Sequence, residues 1–150
     1  MYGGNDMIYT EMTVKAMQMA YKAHAGQVDY NNVPYIFHPY HLAEQMDDEI
    51  SCTAALLHDV VEDTNLTIED LEEEFPKAVT EIVKLLTHEE NVDYFDYIRR
   101  IKTNLIATKV KLEDLKHNSD KTRNVGLNVP EEKLRYWEEK YTKAKELLLQ

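Results

Sequence analysis

The run from Ala54 to Asp63 is apolar enough to form a buried helix, yet ionisable residues interrupt it. His58 and Asp59 are adjacent within it, and Glu62 and Asp63 follow one helical turn later. Helical spacing places these four polar groups on one flank, so the apolar residues of the run can face a core. Burying a polar group without a partner costs on the order of 2–7 kcal/mol, so we expect a compensating cation at this flank.

Composition favours one small acidic domain. The chain has 150 residues, 43% of them hydrophobic, and we expect a single domain over residues 1–150. The 17 basic residues against 28 acidic ones give a formal charge of −11, which argues against surfaces for nucleic acid or anionic membranes. We find no export signal and no apolar run near the ~20 residues of a membrane span. With Cys52 as its only cysteine, the chain suits a reducing compartment, and we expect it to be cytoplasmic.

Apolar spacing is helical almost throughout and predicts an all-α, irregular multi-helix bundle. Thr10 suits the start of the first helix and Gly26 its end, while a single helix is expected over about residues 51–63. Thr67 with Asp70 resembles a capping pair, and Pro76 suits the first turn of another helix. Further helices are expected near 94–101, 105–118 and 130–149, with loops over 27–39 and 120–130.

Two imidazoles and two carboxylates stand out as candidate metal ligands. They are His38, His58, Asp59 and Asp114, and they come from three separate segments. Neutral imidazole suits transition metals and carboxylate suits harder ions, so this mixed set favours Mn²⁺ or Fe²⁺, with Zn²⁺ and other ions also compatible. Asn118 lies one turn after Asp114 and can support the ion's ligands or a substrate.

Four segments of the chain together resemble a known family. The segments are His24–Gln27, Pro34–Pro39, Ala54–Thr64 and Val110–Asn118. Their residues, order and spacing resemble the HD-domain metal-dependent phosphohydrolases, and within them the (p)ppGpp hydrolase domain of RelA/SpoT proteins and small stand-alone alarmone hydrolases. The resemblance covers about residues 10–120, while the last helix shares only an aromatic and basic character. It implies an HD-domain bundle around a single metal site.

The resemblance also implies roles for individual residues. His38, His58, Asp59 and Asp114 would bind one divalent ion, usually manganese, and Glu62 and Asp63 would handle protons. Either acid suits the general base. The implied reaction removes the 3′-pyrophosphate from guanosine tetra- or pentaphosphate with a metal-activated water. The candidate substrate contacts are Lys22, His24, Asn118, Lys109, Arg135 and Tyr141, and the other candidate phosphate contacts are Lys111, Arg123 and Lys140.

The chain departs from the alarmone hydrolases at two places. Val28-Asp29 stands where those enzymes usually carry basic residues, and Leu115 follows Asp114 where they usually carry arginine. Another nucleotide phosphohydrolase of the superfamily, a nucleoside monophosphatase or a pyrophosphohydrolase, is therefore the alternative function, and a non-catalytic nucleotide-binding module is a third. Outside the site we expect His41 and His88 at the surface and Tyr136, Trp137 and Tyr141 more often in the core than stacked on a base.

Overall fold

The computed structural model describes residues 6–126 and 128–150, and in these ranges the chain is helical, which confirms the all-α prediction. No β-strand occurs in the described ranges, apart from an isolated bridge between Val28 and Pro34. The helices are α1 (Glu11–Ala23), α2 (Phe37–Glu44), α3 (Glu49–Leu57), α4 (Val60–Asp63), α5 (Ile68–Glu74), α6 (Lys77–Leu86), α7 (Tyr94–Ile101), α8 (Leu105–Asn118) and α9 (Glu131–Leu149), with a short 3₁₀ helix at Lys121–Asn124.

Several helices begin where the sequence indicates. Thr10 caps α1 and forms a capping box with Thr13, and Thr67 forms the predicted capping box with Asp70 at the start of α5. Pro76 lies at the N-cap of α6 rather than in its first turn. None of the helices in the described ranges is both long enough and apolar enough to cross a membrane.

The single helix predicted over residues 51–63 is wrong, because the chain breaks at the His58-Asp59 pair. Helix α3 ends at Leu57 and α4 begins at Val60. In a continuous helix the carbonyl oxygen of Ala55 would accept from the N–H of Asp59. Here the His58 backbone N–H donates to Ala55 O at 3.4 Å, and His58 Nδ1 lies 2.7 Å from the same oxygen. The His58 imidazole therefore competes for the carbonyl oxygen that a continuous helix would use, and α3 ends immediately before the His58-Asp59 pair.

Helix α3 is the centre of the core. Its residues from Ser51 to Leu57 are all buried, and it packs against α1, α2, α6 and α8. Because α3 is enclosed on several sides, the residue that follows it, His58, is delivered into the interior. The carboxyl-terminal helix α9 packs against α7 and α8.

Only part of α9 belongs to the core. Ala144 and Leu148 are buried, and the half-buried Tyr141 packs against the core, whereas Trp137 is half-buried away from it. Tyr136 is 61% exposed, so its predicted place in the core is wrong. The first half of α9 therefore presents aromatic side chains outside the main hydrophobic core.

Candidate metal centre

The four predicted ligands meet although they come from separate elements. His38 lies in the first turn of α2, His58 and Asp59 join α3 to α4, and Asp114 lies on α8. His38 Nε2 is 2.8 Å from Asp114 Oδ1, and His58 Nε2 is 2.9 Å from Asp59 Oδ2 and 3.7 Å from Asp114 Oδ1. His38, His58 and Asp114 each offer one ligand atom within 4.8 Å of the others, and all three are buried. Asp59 joins this cluster through its contact with His58.

The residues of this cluster fit a divalent cation. His58 Nε2 is buried and has no hydrogen-bond partner among the described residues, because its short contact with Asp59 lacks hydrogen-bond geometry. Burial alone would lower the pKa of His58, but the carboxylates of Asp59 and Asp114 raise it well above its usual range. The cluster thus calls for a positive charge at His58 Nε2, which a cation supplies as well as a proton. Two imidazoles with two carboxylates suit the transition metals.

The ligands are held by further hydrogen bonds. His58 Nδ1 donates to Ala55 O, and the Tyr35 hydroxyl donates to Asp59 Oδ2. Asn118 Nδ2 donates to Asp114 Oδ1 at 3.1 Å, as its position one turn after Asp114 predicts. Such outer partners fix the orientation of metal ligands. Tyr35 was not predicted from the sequence, because no spacing rule connects a loop tyrosine with Asp59.

Lys111, a predicted phosphate contact, instead binds a candidate ligand. Its Nζ donates to Asp114 Oδ2 at 2.8 Å, and both side chains are largely buried. Burial alone would raise the pKa of Asp114, but Lys111 and the imidazole of His38 outweigh burial and hold that pKa well below its usual range. The three-residue spacing of Lys111 and Asp114 on one helix was the available signal for this pair.

His117 is a second residue whose place at the site was not predicted from the sequence. Its Nδ1 lies 2.8 Å from His38 Nδ1, and its ring stacks on His41 with centroids 4.1 Å apart. Burial, together with the nearby charge of Arg123, lowers the pKa of His117 to about 3, so its ring is neutral. His41, which was predicted at the surface, is half-buried because His117 stacks on its ring.

The two candidate acids lie on α4 at the edge of the cluster. Asp59, Glu62 and Asp63 offer carboxylate oxygens within 4.8 Å of one another, and Glu62 and Asp63 are exposed. Although both residues reach solvent, partial desolvation of their carboxyl groups raises the pKa of each acid, and the charge of Asp59 raises it further. Glu62 Oε1 accepts from the backbone N–H of His88 at 2.7 Å. His88, which was also predicted at the surface, is half-buried because its ring stacks on Tyr97.

A cleft of about 510 Å³ adjoins the cluster. Tyr35 and Asn118, which bind Asp59 and Asp114, contribute to its wall. The other residues lining it are Val28, Asp29, Tyr30, Asn31, Asp120, Arg123, Asn124, Trp137 and Tyr141. The predicted substrate contacts Asn118 and Tyr141 are therefore at the cleft.

Aromatic rings and one guanidinium characterise this cleft. Tyr30 and Trp137 pack edge to face with centroids 5.0 Å apart. Arg123 is the one basic residue of the lining within the described part of the chain. It donates to His117 O at 2.8 Å, and its Nη2 lies 3.4 Å from Asp29 Oδ2. Asp29, which stands where the alarmone hydrolases usually carry a basic residue, thus pairs with Arg123 of the cleft.

Several predicted substrate and phosphate contacts do not line this cleft, and their contact with a substrate stays a prediction. Lys22 is exposed near the end of α1. Lys109 Nζ lies 2.7 Å from Asp47 Oδ1, and Arg135 Nη2 lies 3.8 Å from Glu131 Oε1. Lys140 Nζ lies 4.2 Å from the centroid of the Tyr94 ring. Lys109, Arg135 and Lys140 thus each have a local partner that directs the side chain.

His24 is also absent from the cleft lining. It is buried, and its Nδ1 lies 2.8 Å from Gln27 Oε1. Its ring packs beside Tyr35 with centroids 5.0 Å apart. Gln27 in turn donates to the backbone oxygen of Asp63 at 2.8 Å. The buried His24 and the half-buried Gln27 thus support residues beside the cluster.

Comparisons with known proteins agree on the family. The HD domain family matches residues 16–125. The chain is 33% identical over 136 residues to the bifunctional (p)ppGpp synthase/hydrolase SpoT of Escherichia coli, covering 76% of this chain but 19% of that protein. It is 38% identical over 116 residues to a guanosine-3′,5′-bis(diphosphate) 3′-pyrophosphohydrolase of Haemophilus influenzae, covering 67% of this chain and 17% of that protein.

A solved structure described as a metazoan ortholog of SpoT that hydrolyzes ppGpp has the same fold. Its TM-score is 0.81 at 24% identity, over 95% of this chain and 88% of that one. The chain spans about a fifth of the length of the two bacterial relatives. The range that matches the HD domain family, residues 16–125, includes all four candidate ligands. The chain belongs to the HD domain family.

Proposed function

We propose that this chain is a metal-dependent phosphohydrolase that removes the 3′-pyrophosphate from guanosine tetra- or pentaphosphate. The observation that carries the proposal is the convergence of His38, His58, Asp59 and Asp114 beside an aromatic cleft. The names of the bacterial relatives support the same substrate class. We also propose that the 150 residues work as one HD-type domain.

The four ligand residues would hold one divalent cation. We favour Mn²⁺, because two imidazole nitrogens and two carboxylate oxygens suit an ion between the soft and hard classes. Such an ion would act as a Lewis acid and lower the pKa of a bound water, so that the water can lose a proton near neutral pH. Lys111 and Asn118 keep Asp114 charged and oriented for this purpose.

Asp63 is the stronger candidate for the general base. The Glu62 carboxylate is engaged by the backbone of His88, whereas no hydrogen bond to the Asp63 carboxylate occurs within the described ranges. Gln27 holds the Asp63 backbone oxygen and so fixes this turn of α4. The raised pKa of Asp63 brings it closer to neutral pH, where a base is most effective. We therefore propose that Asp63 accepts the proton and that Glu62 positions the neighbouring segment.

The cleft would bind the nucleoside and the phosphates that are not cleaved. Trp137 and Tyr30 offer aromatic surface for a purine, and Tyr141 extends it. Arg123 offers a guanidinium whose planar donors match phosphate oxygens. This arrangement suits a purine nucleotide with its reactive end toward Tyr35 and Asn118.

One observation favours a second candidate, a nucleotide phosphohydrolase for a less charged substrate such as a nucleoside monophosphate. Asp29 and Asp120 line the cleft together with Arg123. Because Asp29 already neutralises much of the Arg123 charge, a second polyphosphate arm finds little positive charge there. The two candidate functions therefore differ in the charge of the substrate that the cleft accepts.

Cell location and biological role extend this proposal. We propose that the protein acts in the cytoplasm and contributes to the stringent response. Its one cysteine, Cys52, is a buried free thiol, which agrees with a reducing compartment. That the protein binds neither nucleic acid nor membranes stays a prediction from its charge.

Incubation of the purified chain with Mn²⁺ and separate nucleotides tests the proposal. The panel is ppGpp, pppGpp, GTP and the nucleoside monophosphates, and the products are identified by anion-exchange chromatography and ³¹P NMR. We expect pyrophosphate with GDP from ppGpp, abolished in Asp59→Asn and retained in Asp47→Asn, a matched change at an exposed carboxylate. Faster release of orthophosphate from monophosphates would favour the second candidate. Mn²⁺ binding without turnover of any nucleotide would contradict both.

A further inference from the structure

The outer nitrogen of the candidate ligand His38 faces another imidazole. His38 Nδ1 and His117 Nδ1 are 2.8 Å apart, and the two ring planes differ by only 7°. At this distance one nitrogen carries the hydrogen and the other presents its lone pair. The pair is largely shielded from water, because His38 is buried and His117 is half-buried.

Metal binding decides which nitrogen donates. A histidine ligand presents a lone pair to the ion, and in His38 this is Nε2, the atom that faces Asp114 Oδ1. A neutral imidazole has one N–H, so the hydrogen of His38 is then on Nδ1. His117 Nδ1 must accept this hydrogen bond, and the hydrogen of His117 lies on its Nε2.

The second ligand histidine has a simpler partner. His58 Nδ1 faces the backbone oxygen of Ala55, which can only accept. His117 can likewise accept from His38 Nδ1, but an imidazole can also donate. Its ring must therefore be held so that the lone pair of Nδ1 faces His38. The His41 ring stacks on it at 4.1 Å, and Arg123 Nη1 donates to its backbone oxygen at 2.8 Å.

We infer that His117 is a positioning residue of the metal centre, whose Nδ1 accepts from His38 Nδ1 and thereby fixes the tautomer and ring orientation of that ligand. The inference rests on the proposed binding of a cation by His38. Loss of such an outer partner usually weakens metal affinity 10–100-fold. Arg123 also reaches Asp29, so the same contacts connect the rim of the cleft to the metal ligand.

Mn²⁺ binding to the full chain, measured by isothermal titration calorimetry without nucleotide, tests this role. We expect His117→Leu to weaken affinity about 10–100-fold. His117→Gln keeps an acceptor oxygen on a side chain of similar reach and should recover much of the loss. His41→Phe keeps the stacked ring and should bind Mn²⁺ like the wild type. A His117→Leu variant that is folded by circular dichroism and binds Mn²⁺ with wild-type affinity would overturn the inference.

A second measurement needs no variant. In ¹⁵N-labelled wild-type protein loaded with diamagnetic Zn²⁺, an N–H···N hydrogen bond transmits scalar coupling between the two nitrogens. We expect His38 to carry its hydrogen on Nδ1 and to show this coupling to His117 Nδ1. A hydrogen on His38 Nε2, or no coupling to His117, would overturn the inference. Because neither experiment contains a substrate, failure of the proposed hydrolysis would leave both readouts unchanged.

Discussion

Lys111→Met should destabilise the protein strongly, because it removes the cation that accompanies a buried carboxylate. The Lys111 side chain is 12% exposed and that of Asp114 is 7% exposed, with Nζ 2.8 Å from Oδ2. Methionine retains most of the aliphatic stem, so the change isolates the charge. What remains is a buried carboxylate that has lost its strongest partner.

The magnitude follows from burial. Breaking a buried ion pair by removing one partner costs about 3–5 kcal/mol. For a chain of this length, 1 kcal/mol corresponds to roughly 2–4 °C in Tm, so we expect Tm to fall by about 6–20 °C. A divalent cation bound by Asp114 would stabilise its carboxylate in place of the lost ammonium. Saturating Mn²⁺ should therefore reduce the difference in Tm between Lys111→Met and the wild type.

Lys109→Met is a matched control on the same helix. Lys109 Nζ lies 2.7 Å from Asp47 Oδ1, a contact as short as that of Lys111, but the side chains are 42% and 63% exposed. Exposed pairs contribute about 0.2–1 kcal/mol. Urea unfolding and thermal scans of both variants, with and without Mn²⁺, give the comparison. Equal losses in the two variants, or a loss under about 1 kcal/mol in Lys111→Met, would refute the reasoning.

Three further predictions concern binding and rate. Tyr35→Phe removes the hydrogen bond to Asp59 and should weaken Mn²⁺ binding about 10–100-fold by calorimetry; unchanged affinity would show that Tyr35 does not orient this ligand. Because only a deprotonated Asp63 can accept a proton and its pKa is raised, kcat/KM should fall as pH decreases through that pKa; Asp63→Asn should lower the rate about 10²–10⁴-fold and remove this acid limb, and an unaltered pH profile would exclude Asp63 as the base. Asp29→Asn frees Arg123 from its partner and should lower KM for ppGpp about 2- to 5-fold in steady-state assays, whereas an unchanged or higher KM would argue against a phosphate contact there.

The sequence was most informative where local spacing decides the structure. The capping residues Thr10 and Thr67 predict the starts of two helices, and the one-turn spacing of Asp114 and Asn118 predicts the contact between them. These features depend on neighbours within one or two turns, which a periodic pattern records.

Contacts between distant segments were harder to foresee. His117 meets His38 across 79 positions of the chain, and Tyr35 meets Asp59 across 24. No spacing rule connects such pairs, although His117 shares a helix face with Asp114 three residues earlier, which was a usable signal. The same limit applies to Lys109, whose partner Asp47 is 62 positions away in the chain, whereas Lys111 pairs with Asp114 at a three-residue spacing that the sequence does show.

The break at His58-Asp59 has a chemical origin that periodicity does not record. The pattern of apolar residues continues from α3 into α4, and it gives no sign that an imidazole competes for the Ala55 carbonyl. Polar side chains that bind nearby backbone groups commonly end helices in this way. In this chain the competition occurs at the pair of residues that the proposed function needs most.

The position of a bound metal ion tests the central claim most directly. Crystals grown with Mn²⁺ and measured near the manganese absorption edge give its position by anomalous scattering. We predict one peak in contact with His38 Nε2, His58 Nε2 and carboxylate oxygens of Asp59 and Asp114. The nearby acids Asp59, Glu62 and Asp63 form the rival cluster. A peak among these acids alone, without either imidazole, or no peak at saturating Mn²⁺, would contradict the account.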